Sequence, residues 1–202
     1  MTNKITVAKL CLDCAEYIIP RSPEYTEATG RLLFGTACSE SLLTYRRQIG
    51  FHTDDVRGAW GLWQTEYAPV YDSVVMLSRK ANLGERCINW LEKHGIVNAW
   101  TTMNGDPLRL MELIRAQDAV GCLFARLHYL RFPTAIPIKQ EEQAAYWKRN
   151  YNTHLGAGTI PGYLEKWRQC GADTWETLVE NPLEKPDGLS PAVSAGEGSP
   201  LV

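Results

Sequence analysis

From Pro107 to Pro133 the chain keeps apolar residues at three- and four-residue spacings, through Leu110, Leu113, Ile114, Val120, Leu123, Phe124, Leu127 and Leu130. That stripe is broader than a surface helix needs, so it predicts a long central core helix, opened by Asp106-Pro107 and ended before Pro133. No segment alternates apolar and polar residues as half-buried strands do, and no repeat is evident. The expected fold class is therefore mostly α, and 202 residues suffice for one self-supporting core.

Further helical patterns surround this element. Ile5 to Ile19 forms a first helix stopped by Pro20, and Ser22-Pro23-Glu24 starts a second with a capping hydroxyl, a proline and a first-turn acid. The pattern predicts that this second helix runs to about Gln48, before Gly50. Residues 50–64 lack a period and read as a cleft-lining loop or short irregular sheet. Helices are expected over 69–79, 85–94, 140–150 and 159–169, and a short last one after the capping-box chemistry of Asp173-Thr174-Trp175-Glu176. From Asn181 to Val202, Pro, Gly, Ser and Ala replace the large apolar residues. The domain is thus expected to span 1–180, with 181–202 an extended tail that would need a neighbour to hold it.

Twenty-one basic against 23 acidic side chains give a net charge of -2, with no global attraction for nucleic acid or an anionic membrane. Neither partner is expected: Arg46-Arg47 beside Tyr45, and Lys148-Arg149 between Trp147 and Tyr151, read as solvated helix faces. Lys9, Asp13 and Glu16 interrupt the N-terminal apolar residues, so the chain is expected to be made in the cytoplasm without a secretory signal. The six cysteines are dispersed through helical patterns and read as buried free thiols, including Cys11 and Cys14 of the one CxxC spacing. His52, His94, His128 and His154 are scattered without metal-site spacing, and no phosphate- or dinucleotide-binding fingerprint is present, so no metal and no cofactor is expected. Gly156-Ala157-Gly158 reads as a turn.

Glu40 is the residue that carries chemistry. It follows Leu33, Thr36 and Ala37 by seven, four and three positions, so in a helix it shares a face with apolar and small residues. Desolvation there would hold its proton closer to neutral pH, which suits a general acid. A solvated rim position, or a structural pairing with Arg46 or Arg57, would explain the same spacing.

Glu40-Ser41, followed by Gly58-Ala59-Trp60-Gly61-Leu62-Trp63-Gln64, resembles the soluble lytic transglycosylases of the lysozyme-like superfamily. Their helix-borne Glu-Ser pair precedes a Gly-Ala-x-Gly-Leu-Met-Gln segment. Trp63 stands at the usual methionine, and the proline that normally follows comes late, at Pro69. Asn150-Tyr151-Asn152, with Gly156 to Thr159 and Tyr163, looks like a diverged form of the family's third, Tyr-Asn-containing element. The chain also resembles lysozyme-like proteins carried in tailed-phage virions.

The resemblance implies a lysozyme-like helical domain that cleaves peptidoglycan glycan strands, with Glu40 protonating the departing sugar oxygen. In a transglycosylase, the resulting carboxylate would deprotonate the muramyl hydroxyl that closes a 1,6-anhydro product. A hydrolytic muramidase would more often add a second carboxylate, for which Asp54, Asp55, Glu66 and Asp72 are candidates. Gln64 would hydrogen-bond the sugar, Gly58 and Gly61 would admit it close to the backbone, and Ser41 would orient the acid or substrate. Trp60, Trp63, Tyr67 and Tyr151 offer rings for stacking, and Asn152 would border the same cleft. A phage tail or baseplate would be the location, with the tail segment contacting other virion proteins. The alternatives are a non-catalytic structural subunit of a tail, baseplate or neck, and a module that binds glycan without cutting it.

Overall fold

The computed structural model describes residues 3–44, 46, 58–98, 107–171 and 175–180. Helix α1 (Lys4–Ile18) is capped by Asn3, whose side chain accepts from the Ile5 N–H at 2.9 Å. Helix α2 (Pro23–Ser41) is capped by Ser22, with Pro23 in its first turn. These two helices pack along each other, with Gly30 seated against the Leu12 backbone, and they feed the core with Val7, Cys11, Cys14 and Ile18 from α1 and Leu32, Leu33 and Phe34 from α2, all fully buried.

The second helix ends at Ser41, well short of Gln48. Leu42 and Leu43 adopt left-handed φ values of 51° and 56°, and the Leu42 N–H bonds to the Cys38 carbonyl. This reversal, disfavoured for leucine, turns the chain off the helix axis and buries Leu43 in the core. Tyr45, Arg47, the Gly50 stop, Asp54, Asp55 and Arg57 lie outside the described residues.

Residues 58–65 form a tight turn, closed by an isolated antiparallel bridge between Trp60 and Thr65. Helices α3 (Tyr67–Ser78) and α4 (Ala81–Lys93) follow. The expected long helix is two: α5 (Pro107–Ala116) and α6 (Asp118–Tyr129). Gln117 between them is extended, at φ -120° and ψ 109°. The break puts the Asp118 carboxylate at the start of α6, where it favours the helix dipole and receives the Arg46 guanidinium at 2.5 Å and 3.2 Å. Every residue of α6 from Ala119 to Tyr129 is buried, so this half does form the central element. It touches α1, α2, α3 and α4.

Helix α7 (Gln140–Trp147) runs directly into a π-helical segment (Lys148–Asn152). Helix α8 (Ile160–Gln169) is capped by Thr159 and packs on α2 and α7, and α9 (Trp175–Glu180) closes over α1. The Asp173-Thr174 capping residues and the 181–202 tail lie outside the described residues. All six cysteines are free and buried. The described residues are mostly helical, and no helix among them is long and apolar enough to cross a membrane.

Candidate active site

Glu40 occupies the last turn of α2, behind the fully buried Leu33, Thr36 and Ala37. Its carboxylate reaches a cleft of about 580 Å³, lined among others by Gln64, Thr65, Glu66, His128, Tyr151 and Asn152. Four different stretches of chain meet here. α2 brings the acid, the 58–65 turn and the start of α3 form one wall, α6 supplies His128, and the π-helical segment forms the opposite wall.

Burial pushes the Glu40 carboxyl up to about 7, from an ordinary value of 4.5. The Trp147 indole N–H works against that, donating to Oε1 at 3.0 Å, as do the Lys166 ammonium and the Asn152 amide. The negative Glu66 adds to the rise. Lys166 is held beside the acid by donating to the carbonyl of Ser39. The group is thus poised: its proton is retained near neutrality, yet three donors or positive charges await the carboxylate once the proton leaves. Of the two arginines that periodicity offered as partners, Arg46 binds Asp118 instead.

The π-helical segment shapes the opposite wall, and such segments recur at functional sites. Lys148 donates from Nζ to Asn152 Oδ1 and to the Gly156 carbonyl, each at 2.8 Å. Clamping the amide oxygen leaves the Asn152 NH₂ as the end available to Glu40. A Cβ on Gly156 would lie 2.3 Å from the Asn152 carbonyl oxygen, so only glycine lets the chain double back here. Thr153, on the cleft surface, takes φ 60° and ψ -179°, a backbone region nearly confined to glycine.

Tyr151 lines the cleft with its ring, but its hydroxyl proton is committed to the Trp63 carbonyl at 2.8 Å. Its oxygen lies 3.3 Å from Thr65 Oγ1, and burial raises its pKa. His128 donates from Nε2 to the Asn150 carbonyl at 2.8 Å and packs edge-on against Tyr151. Burial lowers its pKa, so the ring is neutral at pH 7 and Nδ1 is its acceptor atom.

The structure therefore brings Glu40, Gln64, Tyr151 and Asn152 together in one cleft. It places the other expected substrate-binding residues elsewhere. Trp63 is fully buried, its indole donating to the Leu33 carbonyl at 2.8 Å, so the ring braces the turn against α2. Gly61 faces Ile114, whose carbonyl oxygen would lie 2.6 Å from an added Cβ. Ser41 is buried and spends its hydroxyl on the Ala37 carbonyl at 3.0 Å, and neither it nor the buried Gly58 lines the cleft. Trp60 is likewise a core residue, and Tyr67 packs beside Tyr71. Among the second-carboxylate candidates, Glu66 lines the cleft, whereas Asp72 binds Arg131 on the surface at 2.6 Å.

Sequence reasoning missed Trp147, Lys148, Lys166 and His128. Trp147 lies 107 positions from the carboxylate it bonds, and local spacing carries no trace of that pairing. Comparison with family models, curated proteins and solved structures returns no match.

Proposed function

We propose that the protein cleaves glycosidic bonds of peptidoglycan, with Glu40 as general acid and then general base. The observation that carries this reading is a carboxyl held up to about 7 in an open cleft of about 580 Å³. A protonated acid donates to the departing sugar oxygen, and the nascent carboxylate is then stabilised by the Trp147 indole, the Asn152 amide and Lys166. Gln64 supplies a polar side chain and Tyr151 an aromatic ring to the same cleft. The choice of peptidoglycan, the lysozyme-like fold and a phage-virion setting all rest on the resemblance of Glu40-Ser41 and Gly58–Gln64 to lytic transglycosylases.

The test is release of reducing ends and 1,6-anhydromuropeptides from purified peptidoglycan, by the native protein and by Glu40→Gln, with circular dichroism confirming that both fold. Anhydro product from the native protein alone supports a transglycosylase, and reducing ends without anhydro sugar support a hydrolase. No release by a folded native protein would reject the enzymatic reading in favour of a structural subunit.

A further inference from the structure

We propose that His128 is a ligand-binding residue of the cleft, its Nδ1 accepting a hydrogen bond from a hydroxyl or amide N–H of the bound glycan. The choice of ligand rests on the glycan-cleaving reading, and the choice of atom rests on the geometry around the ring. Nε2 lies 2.8 Å from the Asn150 carbonyl oxygen. A carbonyl can only accept, so Nε2 carries the proton and Nδ1 the lone pair. Asn150 lies in the π-helical segment that ends at Asn152, where backbone carbonyls lack partners further along the helix. The imidazole fills that need, and its ring is held between Tyr151 and Phe132, with centroids 4.9 Å and 5.5 Å away.

Nδ1 is left over. His128 is 9% exposed, and no hydrogen bond to Nδ1 occurs among the described residues. Yet Nδ1 is not one of the described polar atoms sealed from solvent without a partner. It is therefore reached from the cleft that the ring lines. Nearby polar atoms are already engaged: the Tyr151 hydroxyl proton goes to the Trp63 carbonyl, and Asn152 Oδ1 receives Lys148. Glu40 and Glu66 offer carboxyl oxygens to the same cleft, whereas His128 offers a nitrogen that burial keeps neutral. A neutral acceptor fixed in this way selects for a donor on the ligand. A ligand that sets a C–H or an ether oxygen against it leaves the nitrogen dehydrated and unpaired, while a sugar ring brings hydroxyls and, when N-acetylated, an amide N–H.

Ring-nitrogen NMR of the histidines in the full chain at pH 8 reads both atoms, and the Glu40 carboxyl-carbon resonance reports separately whether the cleft is occupied. In the free protein, Nε2 is expected to be protonated and Nδ1 bare. With the N-acetylglucosamine tetramer, the Glu40 resonance is expected to move and Nδ1 to shift toward the protonated range, while Nε2 stays protonated. Cellotetraose keeps the hydroxyls and lacks the amide. An Nδ1 shift with both oligomers assigns a hydroxyl donor; a shift with the acetylated oligomer alone, while cellotetraose still moves Glu40, assigns the amide. Movement of Glu40 without movement of Nδ1 would overturn the role of His128 and leave the glycan reading standing. If neither resonance moves at saturating oligomer, the cleft does not take such a glycan and both fall. A proton on Nδ1 of the free protein would overturn the inference by itself.

Discussion

The Trp147 indole nitrogen lies 3.0 Å from Glu40 Oε1, joining the end of α7 to the end of α2. An indole N–H can only donate, so the contact always favours the ionised carboxylate. It opposes the burial that favours the neutral acid, and the balance leaves the group near 7.

Removing the donor should therefore move that balance in one direction. In Trp147→Phe, Glu40 keeps its burial and loses the largest of the contacts that lower its pKa. Its titration should shift to more alkaline pH by about one pH unit, the equivalent of one charge-assisted hydrogen bond partly replaced by water. Carboxyl-carbon NMR across pH 5 to 9 reads this directly. An unchanged or lower midpoint would show that the indole does not hold the carboxylate.

Glu40 also makes stability depend on pH. Its folded-state value of about 7 exceeds the ordinary 4.5, so the native state binds more protons than the unfolded state between those limits. The sign is a loss: stability is fully present below about pH 4.5 and falls as pH rises through about 7, by roughly 3 kcal/mol for this group alone. Glu40→Gln removes the ionisation. Urea unfolding should find the variant more stable than the native protein at pH 8, with the difference shrinking or reversing at pH 5. A variant destabilised equally at both values would contradict the assignment.

Gly35 sits where α8 presses onto α2. A Cβ there would lie 2.0 Å from the Tyr163 hydroxyl and 2.6 Å from the Trp167 ring. Alanine is the better helix former, but both neighbours are buried aromatics that cannot swing away. Overpacking should outweigh propensity, and Gly35→Ala should destabilise by about 1–3 kcal/mol or more. A denaturant midpoint at or above that of the native protein would mean that the helices separate freely at this contact.

The residues that sequence made legible are those whose neighbours are local. The starts of α2 and α8 follow from Ser22-Pro23 and Thr159-Ile160-Pro161, because capping hydroxyls and first-turn prolines act within one turn. Glu40 was legible for the same reason, since Leu33, Thr36 and Ala37 share its helix face. Gln117 was not, because the Asp118 carboxylate that follows the break is paired with Arg46, 72 residues away, where local spacing carries no signal. Trp63 was read as a substrate contact from its place in a motif, but its burial is set by the Leu33 carbonyl and by Gly121 on other helices. Nor does spacing distinguish a ring facing a cleft from one facing a core.

Asp13 offers the opposite pH dependence to Glu40. Burial disfavours its charge, but donors from Lys93, His94 and Trp90 outweigh that and hold its pKa below the ordinary 3.8. The contacts are 2.7 Å from Lys93 Nζ, 2.7 Å from Trp90 Nε1 and 3.0 Å from His94 Nε2, and together they tie α1 to α4. A carboxyl with a lowered folded-state value contributes stability above 3.8 that is lost as pH falls through the lower folded value. Its carboxylate is partly exposed, so solvent screening limits the contribution to about 1 kcal/mol. Asp13→Asn should therefore cost about that much at pH 7, chiefly through the weakened Lys93 and Trp90 contacts, and progressively less below pH 3.8, where the native residue also becomes neutral. Thermal unfolding of both proteins from pH 2.5 to 7 checks the trend, and a gap that widens toward acid would show that the three donors do not favour the ionised aspartate.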